Sequence, residues 1–322
     1  ELTLDKKEVK KKGGLDKDYA FAWSQSIGET FTILVPNLYG GGSQTNAGNG
    51  SKTYEAALGL GIGEESAEQF ASQIPSYWGA QPFLSGPNYF GIIIVLLFVV
   101  GMFIIQNKLK WMLLALSCLG IMMSWGKHFS ALNYFLFDHL PFFNNFRTPS
   151  MIIVIPAFMF CITAVWALHL IFKEEIETNV LLNHLKKSVL LVGGLTLIFG
   201  IGGSMFLSFK SDKDAQLKER MVQMVGNEQA GTQLYQAIVE DRPSLAMKDG
   251  IRSIIFILLA AALLWMFAQK KLSQKMALLG IGLLISVDLL GIGTRYLDAE
   301  NYMSKDDFDA QFFGDLLKKK DV

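Results

Sequence analysis

The sequence predicts an all-α polytopic membrane protein with about six transmembrane helices, connected by loops that contain some β structure and short helices. Only 18% of the 322 residues are charged and 51% are hydrophobic, whereas soluble domains carry about 25% charged residues. The deficit lies in long apolar runs of the length that crosses a bilayer. In residues 76–105, an aromatic segment rich in glycine and proline leads at Phe90 into a run without a charge. That pattern is typical of a chain that enters hydrocarbon through the membrane interface.

The first 88 residues contain no run that could cross a membrane, and they form the first predicted region. The expected elements, in order, are a solvated charged strand or tail (residues 1–17), a β-like patch (30–35), a Gly/Asn/Ser loop (40–51) and a short helix (64–73). The run Lys10-Lys11-Lys12 leaves a phosphate-binding basic patch open as the alternative for the first element.

Six apolar runs form the predicted transmembrane domain, residues 89–293. Each is about long enough to cross ~30 Å of hydrocarbon as a helix, with the first two at the short end of the range. The predicted spans are about 90–106, 109–125, 151–172, 188–209, 251–268 and 276–293.

The charge of the connections predicts the orientation, because short basic loops stay in the cytoplasm. The short connections carry lysines: residues 107–110, 173–187 and 269–275. The long segments, which include both ends of the chain, are therefore expected outside the cytoplasm: residues 1–88, 126–150, 210–250 and 294–322. An N-terminal segment of this length outside the membrane needs an upstream signal or spanning helix, so we expect the chain to be a fragment.

The loop at 126–150 is the richest in candidate binding residues. Its apolar helix at 131–140 is too short to cross a bilayer and is expected to be interfacial or re-entrant. Ionisable side chains bracket this helix: Lys127, His128, Asp138, His139 and Arg147. Arginine holds phosphate through two parallel hydrogen bonds, so the loop suits a phosphate head group and a sugar ring. Anchoring by snorkelling cations and an aromatic belt is the alternative. Arg147 is the preferred candidate, because Pro149 begins a helix and fixes the chain there.

The loop at 210–250 is predicted to contain two amphipathic helices, at 215–225 and 233–240. Arg242 follows them and is a candidate binding residue. Asp249 and Arg252 stand at i and i+3, so we expect them to pair with each other. The alternative is that they line the outer mouth of the protein.

Asp288 is the one carboxylate well inside an apolar run. An acidic residue within the membrane is a functional candidate by default. Because it lies near the predicted outer end of its helix, contact with water or with Arg295 is the alternative.

Several functional classes lack support. The 29 Lys and Arg balance the 29 Asp and Glu, so the net charge suggests no nucleic-acid partner. Cys118 and Cys161 both lie in apolar runs and cannot form a disulfide framework. The chain has no P-loop pattern, no HExxH, no GxSxG and no clustered Cys and His. We therefore identify no cofactor and no metal ligand, and a divalent metal remains an open possibility.

Five strings resemble the YfhO-like family of bacterial membrane proteins. They are PNLYGGGS (36–43), YWGAQPFLSGPNYFG (77–91), LPFFNNFRTPSM (140–151), DRPSLAMKDGIRS (241–253) and VDLLGIGTRYL (287–297). The resemblance implies a glycosyltransferase of the GT-C type in the bacterial cytoplasmic membrane. Such proteins transfer a sugar from a polyprenyl-phosphate carrier to an acceptor on the outer face, and members of this family are linked to envelope polymers such as lipoteichoic acid.

The residues carried over with the resemblance are Tyr77, Trp78, Gln81, His128, Arg147 and Arg242. Their substrate-binding roles are inferred from the chemistry of the side chains. The implied mechanism is a direct displacement at the anomeric carbon, in which Arg147, with Lys127 or His128, stabilises the departing lipid phosphate. The catalytic acid is expected in an earlier part of the protein, so we assign none.

Two alternatives to this function remain open. A transporter or flippase would show several polar residues and helix breaks within the membrane, for which Asp288 and Pro156 are the candidates. The second alternative is a non-catalytic scaffold for envelope assembly.

Overall fold

The computed structural model describes residues 14–297 and the single residues 302, 304, 305 and 308. Residues 1–13, with the run Lys10-Lys11-Lys12, and most of the predicted region 294–322 lie outside the described residues. The interpretations of these segments therefore stay predictions.

The described chain is mostly helical. Its α-helices are α1 (Lys17–Ala20), α2 (Lys52–Gly59), α3 (Glu64–Ser72), α4 (Ile92–Ile104), α5 (Leu109–Ser124), α6 (Ser130–His139), α7 (Val154–Phe172), α8 (Thr178–Thr196), α9 (Asp214–Val225), α10 (Glu228–Ala268) and α11 (Gln274–Gly293). Short 3₁₀ segments occur at Gly28–Ile33, Pro36–Tyr39, Gly126–Phe129, Phe143–Asn145, Pro149–Ile153 and Gly202–Met205, and a π-helical segment at Leu197–Ile201. The helices expected at 64–73, 131–140 and 215–225 are present as α3, α6 and α9.

The β-like patch expected at 30–35 is not a strand. No strand occurs among the described residues, where Thr45 and Ile74 form an isolated bridge. Residues Gly28–Ile33 are instead a 3₁₀ helix. Ser26 and Glu29 explain the difference, because the backbone N–H of each donates to the side chain of the other, at 2.7 and 3.3 Å. This reciprocal cap starts a helical turn, and local capping here overrides the β propensity of the residues that follow.

Four helices are long and apolar enough to cross a membrane: Pro149–Phe172, Thr178–Met205, Glu228–Ala268 and Gln274–Gly293. A fifth candidate is the pair Leu109–Ser124 and Gly126–His139, which is bent by 116°. These segments contain the predicted spans 109–125, 151–172, 251–268 and 276–293 and most of 188–209. The described residues thus give four to five candidate spans, against the six predicted from the sequence.

The first predicted span, 90–106, is the short helix α4. Its 13 residues rise only about 20 Å. It is also apolar on every side and almost fully buried, because it lies at the centre of the bundle in contact with α7, α8, α10 and α11. A helix that is hydrophobic all round is buried among others, so α4 forms the core of the bundle.

The loop predicted at 210–250 is largely helical. The helix expected at 233–240 extends in both directions and continues without a break into the span expected at 251–268. The result is α10, a helix of 41 residues that rises about 60 Å. Pro243 lies inside it. The first half of α10 therefore projects from the apolar bundle and packs with α9 and α2.

Residues 15–91, which we call the cap, cover the end of the bundle at which α4 begins. Leu34 O accepts a hydrogen bond from Ser253 Oγ of α10 at 2.8 Å, and Thr30 Oγ1 accepts one from Trp125 Nε1 at 2.8 Å. Asp241 of α10 accepts the backbone N–H groups of Lys52 and Thr53 at 2.8 and 2.9 Å. The bonds to Asp241 satisfy N–H groups at the start of α2 that have no partner within the helix. Together, the four bonds join the cap to α10 and to the end of α5.

Candidate functional site

An apolar cavity of about 370 Å³ lies between the cap and the 3₁₀ segments that precede α7. Its lining includes Phe21, Met123, Phe137, Phe143, Phe146, Arg147, Pro149, Met151 and Ile152. Arg147 is the one charged residue of this lining. The cavity therefore combines an aromatic and aliphatic wall with a single guanidinium.

Backbone hydrogen bonds to the cap hold the segment that carries Arg147. Thr148 N donates to Ala20 O at 3.0 Å, and Ser150 N donates to Trp23 O at 3.3 Å. Phe142 and Thr148 adopt left-handed backbone conformations, with φ of 65° and 63°. Such angles are uncommon outside glycine and occur where the surrounding structure imposes them. The position of Arg147 is thus fixed by its backbone.

The guanidinium of Arg147 has no carboxylate partner among the described residues. Its Nη1 donates to the hydroxyl of Tyr19 at 2.5 Å, and its Cζ lies 5.7 Å from the Tyr19 ring centroid. A neutral phenol positions the guanidinium without neutralising it. The exposed side chain therefore offers a positive charge and further N–H donors to an anion.

Lys127 and His128 do not line this cavity, but they lie on a turn that packs against its wall. Both are exposed on the 3₁₀ turn Gly126–Phe129. A Cβ on Gly126 would lie 2.8 Å from Cγ of Pro149, which lines the cavity, so the turn packs directly on the cavity wall. Partial burial, and to a lesser degree the charge of Lys127, hold the pKa of His128 below its usual value. The imidazole therefore takes up a proton less readily than a free histidine does.

His139 does not join these residues. It ends α6, where its Nδ1 lies 2.9 Å from Phe135 O and its ring stacks on Phe135 at 4.6 Å. These contacts stay within one helix, and the side chain is exposed.

Tyr77, Trp78 and Gln81, which were predicted to bind the substrate, are packed within the cap. Trp78 is 7% exposed and stacks on Tyr39 with ring centroids 4.1 Å apart, so its face is not open to a sugar. Gln81 is buried, and its backbone carbonyl accepts from Lys213. The Tyr77 hydroxyl donates to Glu29 at 2.5 Å and accepts from Gln81 N at 3.1 Å. In this arrangement all three stabilise the cap.

Glu29 is a buried carboxylate that the sequence analysis did not select. It is 3% exposed and accepts hydrogen bonds from Tyr77, from Ser26 N and from Ala80 N at 3.1 Å. Burial, and then the charge of Glu29, raise the pKa of the Tyr77 hydroxyl. The S-x-x-E spacing of Ser26 and Glu29 is the signal that could have found it.

Arg242, predicted to bind substrate, is 1% exposed. Its Nη1 and Nη2 donate to the two carboxylate oxygens of Asp214 at 3.0 and 2.9 Å. Nη1 also donates to Phe209 O at 2.7 Å, and Nε donates to Ser76 O at 3.0 Å. The protein itself occupies this guanidinium, which therefore joins α9, α10 and the cap and does not offer itself to a ligand.

The ion pairs between α10 and the end of α11 differ from those expected. Asp249 and Arg252 do not pair with each other, and Asp288 does not pair with Arg295. Arg252 instead forms an ion pair with Asp288, and Arg295 forms one with Asp249, each at 2.8 Å. Asp249 and Arg252 of α10 both face α11. Ion pairs between the two antiparallel helices therefore replace the expected ion pair along α10.

Asp288 serves as a cap for the central helix. It is fully buried, and its Oδ2 accepts the N–H of Ile92, the first residue of α4, at 2.9 Å. Its Oδ1 accepts the Tyr89 hydroxyl at 2.8 Å. The start of a buried helix has N–H groups without partners, and a carboxylate there also interacts favourably with the helix dipole. The geometry gives Asp288 a structural role.

In the part of the chain that the structure describes, no group of three or more His, Cys, Asp or Glu side chains is arranged to hold a metal ion. No protein-family model, no curated protein and no solved structure matches this chain.

Proposed function

We propose that this protein is a membrane glycosyltransferase of the GT-C type, similar to the YfhO-like family, that transfers a sugar from a polyprenyl-phosphate carrier to a cell-envelope polymer. The supporting observation is the apolar cavity with Arg147 in its wall. A polyprenyl phosphate has an apolar chain attached to an anionic head group. The cavity offers apolar contacts for the first and, for the second, a guanidinium that pairs with no carboxylate of the described residues.

The proposed topology has α4, α5, α7, α8, α10 and α11 crossing the bacterial cytoplasmic membrane. Three features support it: the order of the helices, the short connections at the end of the bundle away from the cap, and the lysines in those connections. The shorter α4 is enclosed by longer helices and needs little contact with lipid. This topology puts the cap, the cavity and both ends of the chain on the outer face.

In the proposed reaction, an acceptor hydroxyl attacks the anomeric carbon of the carrier-linked sugar. The bond from that carbon to the phosphate oxygen breaks, and the hydroxyl proton passes to a base. Arg147, assisted by Lys127, stabilises the negative charge on the departing phosphate. We assign no base, because the buried Glu29 is occupied by three hydrogen bonds within the cap.

Arg147→Ala is expected to weaken polyprenyl-phosphate binding by about 10- to 100-fold, because hydrogen bonds to charged groups contribute about 1.5–3 kcal/mol. The measurement is a titration of the full-length protein in lipid nanodiscs with polyprenyl phosphate. Arg220→Ala is the matched control, since Arg220 is exposed on α9 and lies outside the cavity.

Three results would count against sugar transfer at this site. Unchanged affinity in Arg147→Ala, or equal binding of polyprenol without its phosphate, would remove the basis of the proposal. Phosphate-dependent binding without sugar transfer would favour the scaffold or the flippase. Asp288 and Pro156, the two residues that a flippase would use, do not support that function. Asp288 caps α4, and Pro156 packs against Gly120 where α5 meets α7.

A further inference from the structure

A second pocket, with several polar side chains in its wall, lies where α10 and the end of α11 meet the cap. It is small, about 140 Å³, and shares no lining residue with the cavity at Arg147. Asn37, Asn46, Lys248, Asp249, Arg295 and Tyr296 contribute polar groups to its wall.

Hydrogen bonds fix the floor of this pocket. Asp249 is 2% exposed, and its carboxylate accepts from Asn37 N at 3.0 Å and from Arg295 Nη1 at 2.8 and 3.1 Å. The Tyr296 hydroxyl donates to Asn37 Oδ1 at 2.8 Å. The pocket is therefore built from groups that already hold one another in place.

Gly41 allows these groups to come together. Its φ is +75°, and a Cβ at this position would lie 2.3 Å from Asn37 Oδ1 and 2.4 Å from the Tyr296 hydroxyl. Any larger residue would displace the polar atoms of the floor. The close approach thus depends on glycine.

The open side of the pocket carries uncommitted donors. Arg295 uses Nη1 for Asp249, and neither its other nitrogens nor Lys248 forms an ion pair with a described residue. Lys248 and Asn46 are exposed. Asp249 offsets one of the two positive charges, so the described lining residues carry an excess of one positive charge and of N–H donors.

We propose that this pocket binds a small anion, with a carboxylate or phosphate group held by Lys248 and Arg295 and with hydroxyl groups held by Asn46. Its volume lies well below the roughly 300–1,000 Å³ of sites for drug-sized ligands, so the ligand is a few carbons long. Arginine and lysine donors select the anionic group. The inference does not depend on the proposed sugar transfer, because it rests on a different set of residues.

The test is a calorimetric titration of the full chain in detergent with three separate probes: inorganic phosphate, D-glycerate and uncharged glycerol. We expect saturable binding of phosphate, glycerate or both, and none of glycerol at the same concentrations. Lys248→Gln is expected to weaken anion binding at least tenfold, and Asn46→Ala is expected to weaken glycerate more than phosphate. Lys187→Gln, which changes an exposed lysine of α8 outside the pocket, should leave binding unchanged.

Each outcome decides the proposal. Binding of phosphate alone identifies a phosphate-bearing ligand, and stronger binding of glycerate identifies a carboxylate. Absence of saturable anion binding, equal binding of glycerol, or anion binding that survives Lys248→Gln would overturn it. Because Lys248 and Asn46 are exposed, these variants leave the packing intact, and loss of binding cannot be attributed to unfolding.

Discussion

Asp288→Leu is expected to destabilise the protein by about 3–5 kcal/mol, the usual cost of removing one partner of a buried ion pair. The substitution leaves Arg252 without its carboxylate partner and removes the acceptor of Ile92 N at the start of α4. Because α4 is the central helix, the loss affects the whole bundle. Thermal unfolding of the purified protein in detergent, followed by size-exclusion chromatography, measures the effect.

Two further variants test this explanation. Asp288→Asn keeps an acceptor for Ile92 N and should be less destabilising than Asp288→Leu. Adding Arg252→Leu to Asp288→Leu should restore part of the stability, because replacing both members of a buried pair by apolar residues costs less than breaking it. If the double variant is less stable than Asp288→Leu alone, the ion pair does not have the role described here.

Gly250→Ala is expected to destabilise the protein by about 1–3 kcal/mol through overpacking. Gly250 of α10 faces Gly200 of the π-helical segment after α8, and a Cβ on Gly250 would lie 2.8 Å from Gly200 Cα. The obstacle is backbone, so the two helices must separate to admit a methyl group. Close crossings of membrane helices depend on small residues in this way. Thermal unfolding again provides the measurement.

Gly194→Ala is the matched control for this crossing. Gly194 lies in α8, and a Cβ there would meet nothing within 4 Å. Alanine at this position should therefore raise stability by about 1 kcal/mol through its helix propensity. Equal effects of the two substitutions would mean that the contact between Gly200 and Gly250 does not determine how α8 and α10 pack.

The sequence predicted the parts of the fold that depend on local hydropathy. The long apolar helices α7 and α11 begin and end within three residues of their predicted bounds. Helix α10 was divided in the prediction, because the polar residues of its first half look like those of a loop outside the membrane. They remain helical because they pack on α9 and α2, which hydropathy does not report.

The candidate site was predictable only in part. Arg147 could be selected because its charge stands in an aromatic segment before a proline. The cavity beside Arg147 could not be predicted, because its wall combines residues as distant in sequence as Phe21 and Met151. For the same reason Trp78 was predicted to bind substrate, whereas Tyr39 covers the face of its ring. Contacts between distant segments decide which polar and aromatic residues are free to bind.

The most direct test of the account is photo-crosslinking of the full-length protein in lipid nanodiscs with a polyprenyl phosphate that carries a photoreactive group near its head. We expect labelling that is concentrated between Phe137 and Ile152, reduced by Arg147→Ala and unchanged by Arg220→Ala. Labelling spread over the lipid-exposed residues of α11, or unaffected by Arg147→Ala, would contradict the proposal that this cavity binds the carrier.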